Sequence, residues 1–140
     1  MARIKIELPE HYVYKTTLHV RVTDLNYGAH LGNDALLGMI HEARMHFLDS
    51  FGYSELDMHG VSLIMSDSAI VYKYQAYFKD PLVFEITAGD FSNKGFDIFY
   101  RITHQNNGNL IAKAKTGMVC FDYESASVQN VPEAFKAHFH

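Results

Sequence analysis

The stretch Asp24-Leu-Asn-Tyr-Gly-Ala-His-Leu-Gly-Asn33 runs straight into Asp34-Ala-Leu-Leu-Gly-Met-Ile-His-Glu-Ala-Arg-Met-His-Phe-Leu-Asp-Ser-Phe51, and the two together decide the fold. The first half is polar and glycine-bearing, with a carboxylate, two amides and an imidazole close together. The second half is the one long helical pattern of the chain. Leu36, Met39, Ile40, Ala43, Phe47 and Phe51 recur at three- and four-residue spacing, and Leu37, Met45 and Leu48 widen that stripe beyond what a simple surface helix shows. The pattern predicts a helix covered on most sides. Asn33 or Asp34 suits its N-cap, because either side chain can accept from the free N–H groups of the first turn. Gly52 suits its end, tolerating positive φ at no steric cost. A polar loop that enters a helix start is well placed to polarise an oxygen, since the first-turn N–H groups have no partners inside the helix.

Outward from that stretch, the chain reads as sheet. Before it, Tyr14, Thr16, Leu18, Val20 and Val22 alternate with Lys15, Thr17, His19 and Arg21, the period of a half-buried strand over Tyr12 to Val22. After a connection from Tyr53 to Gly60, four further strands are predicted. Val61 to Phe78 has an apolar start, a polar Ser66-Asp67-Ser68 interruption, then alternation through Ile70, Tyr72, Tyr74, Ala76 and Phe78. Lys79-Asp80-Pro81 turns the chain into Leu82 to Phe91. Ser92-Asn-Lys-Gly95 is a hairpin turn with glycine where positive φ is wanted. Phe96, Ile98, Tyr100 and Ile102 share one face of the next strand. Asn106-Asn-Gly-Asn109 then turns the chain into Leu110 to Asp122, with Lys113 and Lys115 on the solvent side. Pro132 to Phe139 reads as a short terminal helix led by proline. One antiparallel sheet wrapped around one buried helix accounts for both periodicities, an α+β arrangement in two layers.

The whole-chain balance narrows the function. A chain of 140 residues suits a single domain, taken as 1–140, with a full core. At 48% hydrophobic and 14% aromatic residues it reads as globular rather than disordered. A formal charge of -4 with acids and bases interspersed argues against a general nucleic-acid binder. No apolar run approaches the ~20 residues of a membrane span, and Met-Ala-Arg-Ile-Lys-Ile-Glu does not read as a signal peptide. Cytoplasm is the expected compartment. One cysteine, Cys120, excludes an intrachain disulfide and a cysteine-rich zinc site, and it reads as a packed small residue. Gly-x-Ser-x-Gly, His-Glu-x-x-His, phosphate-loop and dinucleotide motifs are absent.

The loop and helix resemble the hotdog-fold acyl-CoA thioesterases, in the 4-hydroxybenzoyl-CoA thioesterase-like branch. Those chains carry a loop of the form Asp-x-Asp-x-x-Gly-His-x-Asn-x-x-Tyr and a helix with Glu-Ala-Arg. Here the loop gives Asp24, Asn26, Gly28, His30 and Asn33, and the helix gives Glu42-Ala43-Arg44. Tyr77-Phe-Lys-Asp-Pro-Leu82 is similar to the family's turn into its third strand, and Val119-Cys-Phe-Asp122 to the end of its last. The resemblance implies a hotdog fold and hydrolysis of an acyl-CoA or acyl-carrier thioester. Coenzyme A then enters as part of the substrate, with no separate cofactor or metal. It also implies a homodimer, or a tetramer of paired dimers, with sites at the interface.

One position departs from the family. The branch uses the loop's second aspartate as nucleophile or base, and Asn26 stands there. An amide can orient water or a carbonyl but takes no proton. The expected catalytic set is therefore Asp24, Asn26 and His30, with Asp24 or His30 as base and Asn26 as orienting group. Asp24 equally suits a structural carboxylate paired with Arg21 or Arg44. Gly32 and Asn33 are expected to offer N–H groups to the thioester oxygen. Leu36 and Met39, with Ile40, are expected to carry the acyl chain. Ser66 and Asp67 are expected to reach the partner's site, or to mark a simple bulge. Glu42, read as buried in the helix, is expected to pair with Arg44, His46 or a strand, or to be held there for chemistry with a raised pKa. Lys73, Lys79 and Lys94 are candidates for the coenzyme phosphates. Two other readings compete: an acyl-CoA or acyl-carrier binding protein that has lost the chemistry, and a hydratase or dehydratase on the same fold.

Overall fold

In the computed structural model, which describes residues 3–139, the strands that flank α1 (Asn33–Asp49) in sequence meet it as one curved antiparallel sheet. Met1, Ala2 and His140, the ends of the expected 1–140 domain, lie outside the described residues. The strands are β1 (Tyr14–His19), β2 (Ser62–Tyr72), β3 (Pro81–Gly89), β4 (Gly95–His104) and β5 (Leu110–Asp122). Their order across the sheet is β1-β3-β4-β5-β2, and a two-residue β6 (Ser127–Val128) extends the β5 ladder. A short α2 (Glu133–Lys136) follows Pro132 and closes one end. The hotdog arrangement expected from the sequence is the one observed.

The core lies between α1 and the inner face of the sheet. Leu36, Met39, Ile40, Ala43, Phe47 and Leu48 from the helix meet Phe84 and Ile86 from β3, Ile98 and Ile102 from β4, and Ala114 and Met118 from β5. Alternation does the sorting: in β3, Leu82, Phe84, Ile86 and Ala88 point inward and all are buried. Burying a side chain such as Phe84 or Ile86 contributes about 1.5–3 kcal/mol. Cys120 lies in this core as expected, and burial pushes its thiol up to about 11, so it is no nucleophile near neutral pH.

Several sequence expectations change in detail. Gly32, not Asn33 or Asp34, is the N-cap of α1: its backbone is extended (φ -72, ψ 150), while both following residues already take helical geometry. The helix stops at Asp49, and Gly52 follows with φ 79. The helix is covered on one side rather than most. Gly38, His41, Glu42, Met45 and Asp49 are exposed, because the sheet curves over only one face. The polar Ser66-Asp67-Ser68 group does not break the second strand; it sits on a register shift between Met65 and Asp67, the bulge reading. That strand ends at Tyr72, and residues 73–80 form the loop that returns to β3.

Gly95 serves a purpose other than a turn. The positive φ in the β3–β4 connection belongs to Asp90 (φ 50). A Cβ at Gly95 would meet the Met118 carbonyl oxygen at 2.5 Å. Glycine is there for the close approach of two backbones.

Candidate active site

The loop before α1 folds as a miniature hairpin. Leu25 and Leu31 form an isolated antiparallel bridge. The Gly32 N–H donates to the Asp24 carbonyl at 2.9 Å, and the Asn26 N–H to the His30 carbonyl at 2.8 Å. Leu31 N–H donates to the Ala76 carbonyl at 2.8 Å, tying the loop to the segment after β2. Ala29 turns the tip with φ 64, a left-handed conformation uncommon for a residue bearing a Cβ.

Asn26 closes this hairpin from inside. Its Oδ1 accepts from the Gly28 N–H at 2.9 Å and the His30 N–H at 3.3 Å. The side-chain oxygen is thus committed to the loop, and the Nδ2 hydrogens remain as donors. Asp24 is committed as well. Its carboxylate is buried and accepts from the Arg21 backbone N–H at 2.8 Å, from Arg21 Nε at 3.2 Å and from Arg21 Nη2 at 3.1 Å. Burial alone would raise its pKa, but the hydrogen bonds and charge of Arg21 outweigh it and hold the carboxyl below the ordinary aspartate value. Of the two pairings open to Asp24, the structure has Arg21. His30 is half-buried, with its ring edge-on to Tyr77 at 5.2 Å between centroids.

The start of α1 is uncapped by any side chain. Leu36 makes the first intrahelical bond, donating to the Gly32 carbonyl at 3.0 Å. The Gly32 N–H is spent on Asp24, so it is not a free donor. The N–H groups of Asn33, Asp34 and Ala35 are the first-turn donors that find no acceptor among the described residues. Asn33 sits at a cavity of about 250 Å³ whose lining also includes Gly32, Leu36, Tyr72, Lys73 and Ile111. Tyr72 closes one side, its hydroxyl donating to the Asn33 carbonyl at 3.1 Å. Burial first, and the nearby Asp34 carboxylate second, raise the Tyr72 phenol above its ordinary pKa.

The remaining expected residues divide. Leu36 lines this cavity, while Met39 lines a second one of about 380 Å³ with Leu18, His19, Arg21, Gly38 and Glu42. Ile40 is fully buried against the sheet, so the inner helix face leaves no channel along it. Ser66 and Asp67 lie away from the loop, on the exposed bulge of β2, beside a separate cavity lined also by Asp90, Lys94 and Asp97. Within one protomer they do not join the loop and helix start. Glu42 corrects an expectation: it is exposed, and its carboxylate meets the His46 ring one turn along the helix. The buried charge of that helix is Arg44. Of the three lysines, Lys73 alone borders the helix-start cavity; Lys79 lies over the Phe78 ring at 5.5 Å. Tyr72, which lines the cavity, is the residue that sequence reasoning places in a strand but not at the helix start.

Residues 20–139 match the family model of the thioesterase-like superfamily. The chain belongs to that superfamily. Among solved structures, a 1,4-dihydroxy-2-naphthoyl-CoA thioesterase from Synechocystis superposes with TM-score 0.80 at 21% identity, over 89% of this chain and 93% of that one. A putative thioesterase from Pseudomonas aeruginosa gives 0.84 at 16% identity, over 93% of this chain and 100% of the other. A gentisyl-coenzyme A thioesterase gives 0.76 at 18%, over 88% and 99%. At these identities the likeness is one of fold. No curated protein matches the chain. No helix among the described residues is long and apolar enough to cross a membrane.

Proposed function

We propose that this thioesterase-like protein hydrolyses acyl-coenzyme A thioesters at the start of α1. The observation that carries the reading is the uncapped first turn, with free Asn33, Asp34 and Ala35 N–H groups, beside a cavity lined by Gly32, Asn33, Leu36 and Lys73. Fixed N–H donors favour the negative charge that builds on a thioester oxygen during attack. The acyl group enters beside Leu36 and Tyr72, and Lys73 meets a phosphate of the coenzyme. The Asn26 Nδ2 hydrogens orient the attacking water. His30, whose ring makes no hydrogen bond among the described residues, hands a proton to the departing thiolate. Asp24, gripped by Arg21, holds the loop in place. No cofactor beyond the coenzyme of the substrate is required.

The working unit in this proposal is a homodimer, in the cytoplasm. β2 supports it: an eleven-residue strand at the sheet edge, with Ile64, Met65 and Tyr72 between 36% and 46% exposed. Such an edge invites pairing with another copy. Binding without turnover is the second reading, favoured by the commitment of the Asn26 oxygen to its own loop.

Thiol release from a panel of short, long and aromatic acyl-CoA esters separates the two readings. Hydrolysis of one class, by a protein that sediments as a dimer or larger, is the expected result. Heat protection by acyl-CoA with no thiol from any ester would establish the binding reading instead.

A further inference from the structure

Resting on the hydrolytic reading above, we propose that Asp34 is the general base, supplying from the first turn of α1 the carboxylate that the loop lacks at Asn26. The geometry at Gly32 carries this. A Cβ built there would meet Asp34 Oδ1 at 2.9 Å and the Asn26 Cβ at 3.7 Å. The two side chains therefore lean over the same backbone atom from opposite ends of the turn, and glycine leaves the room between them. Position 34 brings a carboxylate oxygen to this spot, and position 26 brings the Cβ of a side chain whose amide oxygen is held by the loop and whose Nδ2 hydrogens remain as donors.

The two aspartates of the stretch differ in what holds them. The oxygens of Asp24 are taken by three bonds from Arg21. Asp34 is exposed and forms no ion pair with lysine, arginine or histidine among the described residues. Nor does its side chain cap the helix. An aspartate in a first turn also has a plain role, a favourable interaction with the helix dipole. That role involves neither Gly32 nor Asn26 and has no bearing on a rate constant.

A water molecule between Asn26 Nδ2 and Asp34 has a donor on one side and a proton acceptor on the other. The same turn that carries Asp34 offers the N–H groups to the thioester oxygen, so the base and the oxyanion donors share one rigid element. Asp34 takes a proton from water as the water oxygen bonds to the carbonyl carbon. The tetrahedral oxyanion then re-forms the carbonyl and the C–S bond breaks. The sulfur leaves as thiolate and is protonated, and Asp34 returns its proton to solvent. One water and one thioester give one carboxylic acid and one thiol.

The test is steady-state thiol release from the best ester of the panel, by the full-length wild type, Asp34→Asn, and the double variant Asn26→Asp with Asp34→Asn. Heat protection by the same ester and its melting curve accompany each protein. Asp34→Asn is expected to lose about 100-fold or more in kcat, with KM and melting temperature nearly unchanged. The double variant is expected to recover about tenfold or more, because one oxygen of the carboxylate introduced by Asn26→Asp can keep the two loop bonds while the other takes the proton.

Two outcomes overturn the proposal and leave hydrolysis standing: Asp34→Asn keeping its kcat within about threefold, or losing its melting transition and ester protection together with activity. A wild type that binds the esters yet releases no thiol overturns the hydrolytic reading itself, and the base with it.

Discussion

Asn33→Pro is expected to lower kcat for thioester hydrolysis by about 100-fold while the protein stays folded. Asn33 is the first helical residue of α1, a position where proline is well tolerated because its N–H has no helical partner. The residue before a proline must be extended, and Gly32 already is, at φ -72 and ψ 150. The substitution therefore removes one first-turn N–H and leaves the helix ladder intact. Deleting a single donor to a developing oxyanion costs about 10²–10³ in kcat. Asn33→Ala, which keeps the N–H, is the control. Kinetics of the two variants beside the wild type check the expectation. Equal losses in both would assign the effect to the side chain instead.

The largest expected loss of stability is at Arg44. Its guanidinium is buried, with Nη1 donating to the Tyr100 hydroxyl at 3.3 Å and Nε 3.6 Å from Glu55 Oε2. Tyr100 Oη lies in turn 2.8 Å from Thr116 Oγ1, and Glu55 also meets His41 at 2.9 Å. Arg44 Nε has no hydrogen-bond partner, so the site is held chiefly by charge and packing. Arg44→Ala leaves the half-buried Glu55 carboxylate with His41 alone, weakens the tie between α1 and the sheet, and opens a void. Truncating a large buried side chain to alanine costs about 2–5 kcal/mol, a fall in Tm on the order of 10 °C. Arg44→Met fills the space with an uncharged side chain and is expected to cost much less. Thermal and urea unfolding of the two variants would settle the difference. A loss within about 1 kcal/mol for alanine would show that the network contributes little.

Arg44 also shows where sequence reasoning stopped. It stands four residues after Ile40 and three before Phe47, on the buried stripe, but a stripe read from apolar letters passes over an arginine. Glu42 stands off that stripe and is exposed, although the apolar character of the helix suggested burial. Spacing held the answer in both cases, and polarity obscured it. The sheet was far more legible. Period-two alternation in β1, β3, β4 and β5 follows directly from one face being buried, and Gly108 turns β4 into β5 with φ 73.

The ends of elements were less legible. Whether Gly32 or Asn33 caps α1 is decided by a backbone bond from Gly32 to Asp24, which no local pattern announces. The pairing of Tyr72 with Asn33 spans 39 positions and depends on how far β2 runs before it leaves the sheet. The loop–helix junction itself could be read from residue types, since polar side chains led into an apolar helix. How those side chains are committed required the geometry: Asp24 to Arg21, Asn26 Oδ1 to its own loop, Asp34 to none among the described residues.

The most direct test of a thioester carbonyl held at the start of α1 is its infrared stretch in the bound state. A suitable probe is a ¹³C-labelled ketone analogue of the preferred acyl-CoA, with a methylene between sulfur and carbonyl so that it cannot be hydrolysed. A carbonyl polarised by the first-turn N–H groups absorbs at lower frequency bound to the wild type than in water, and the shift shrinks in Asn33→Pro. A bound carbonyl at its aqueous frequency, indifferent to Asn33→Pro, would contradict the placement of the reaction at this helix.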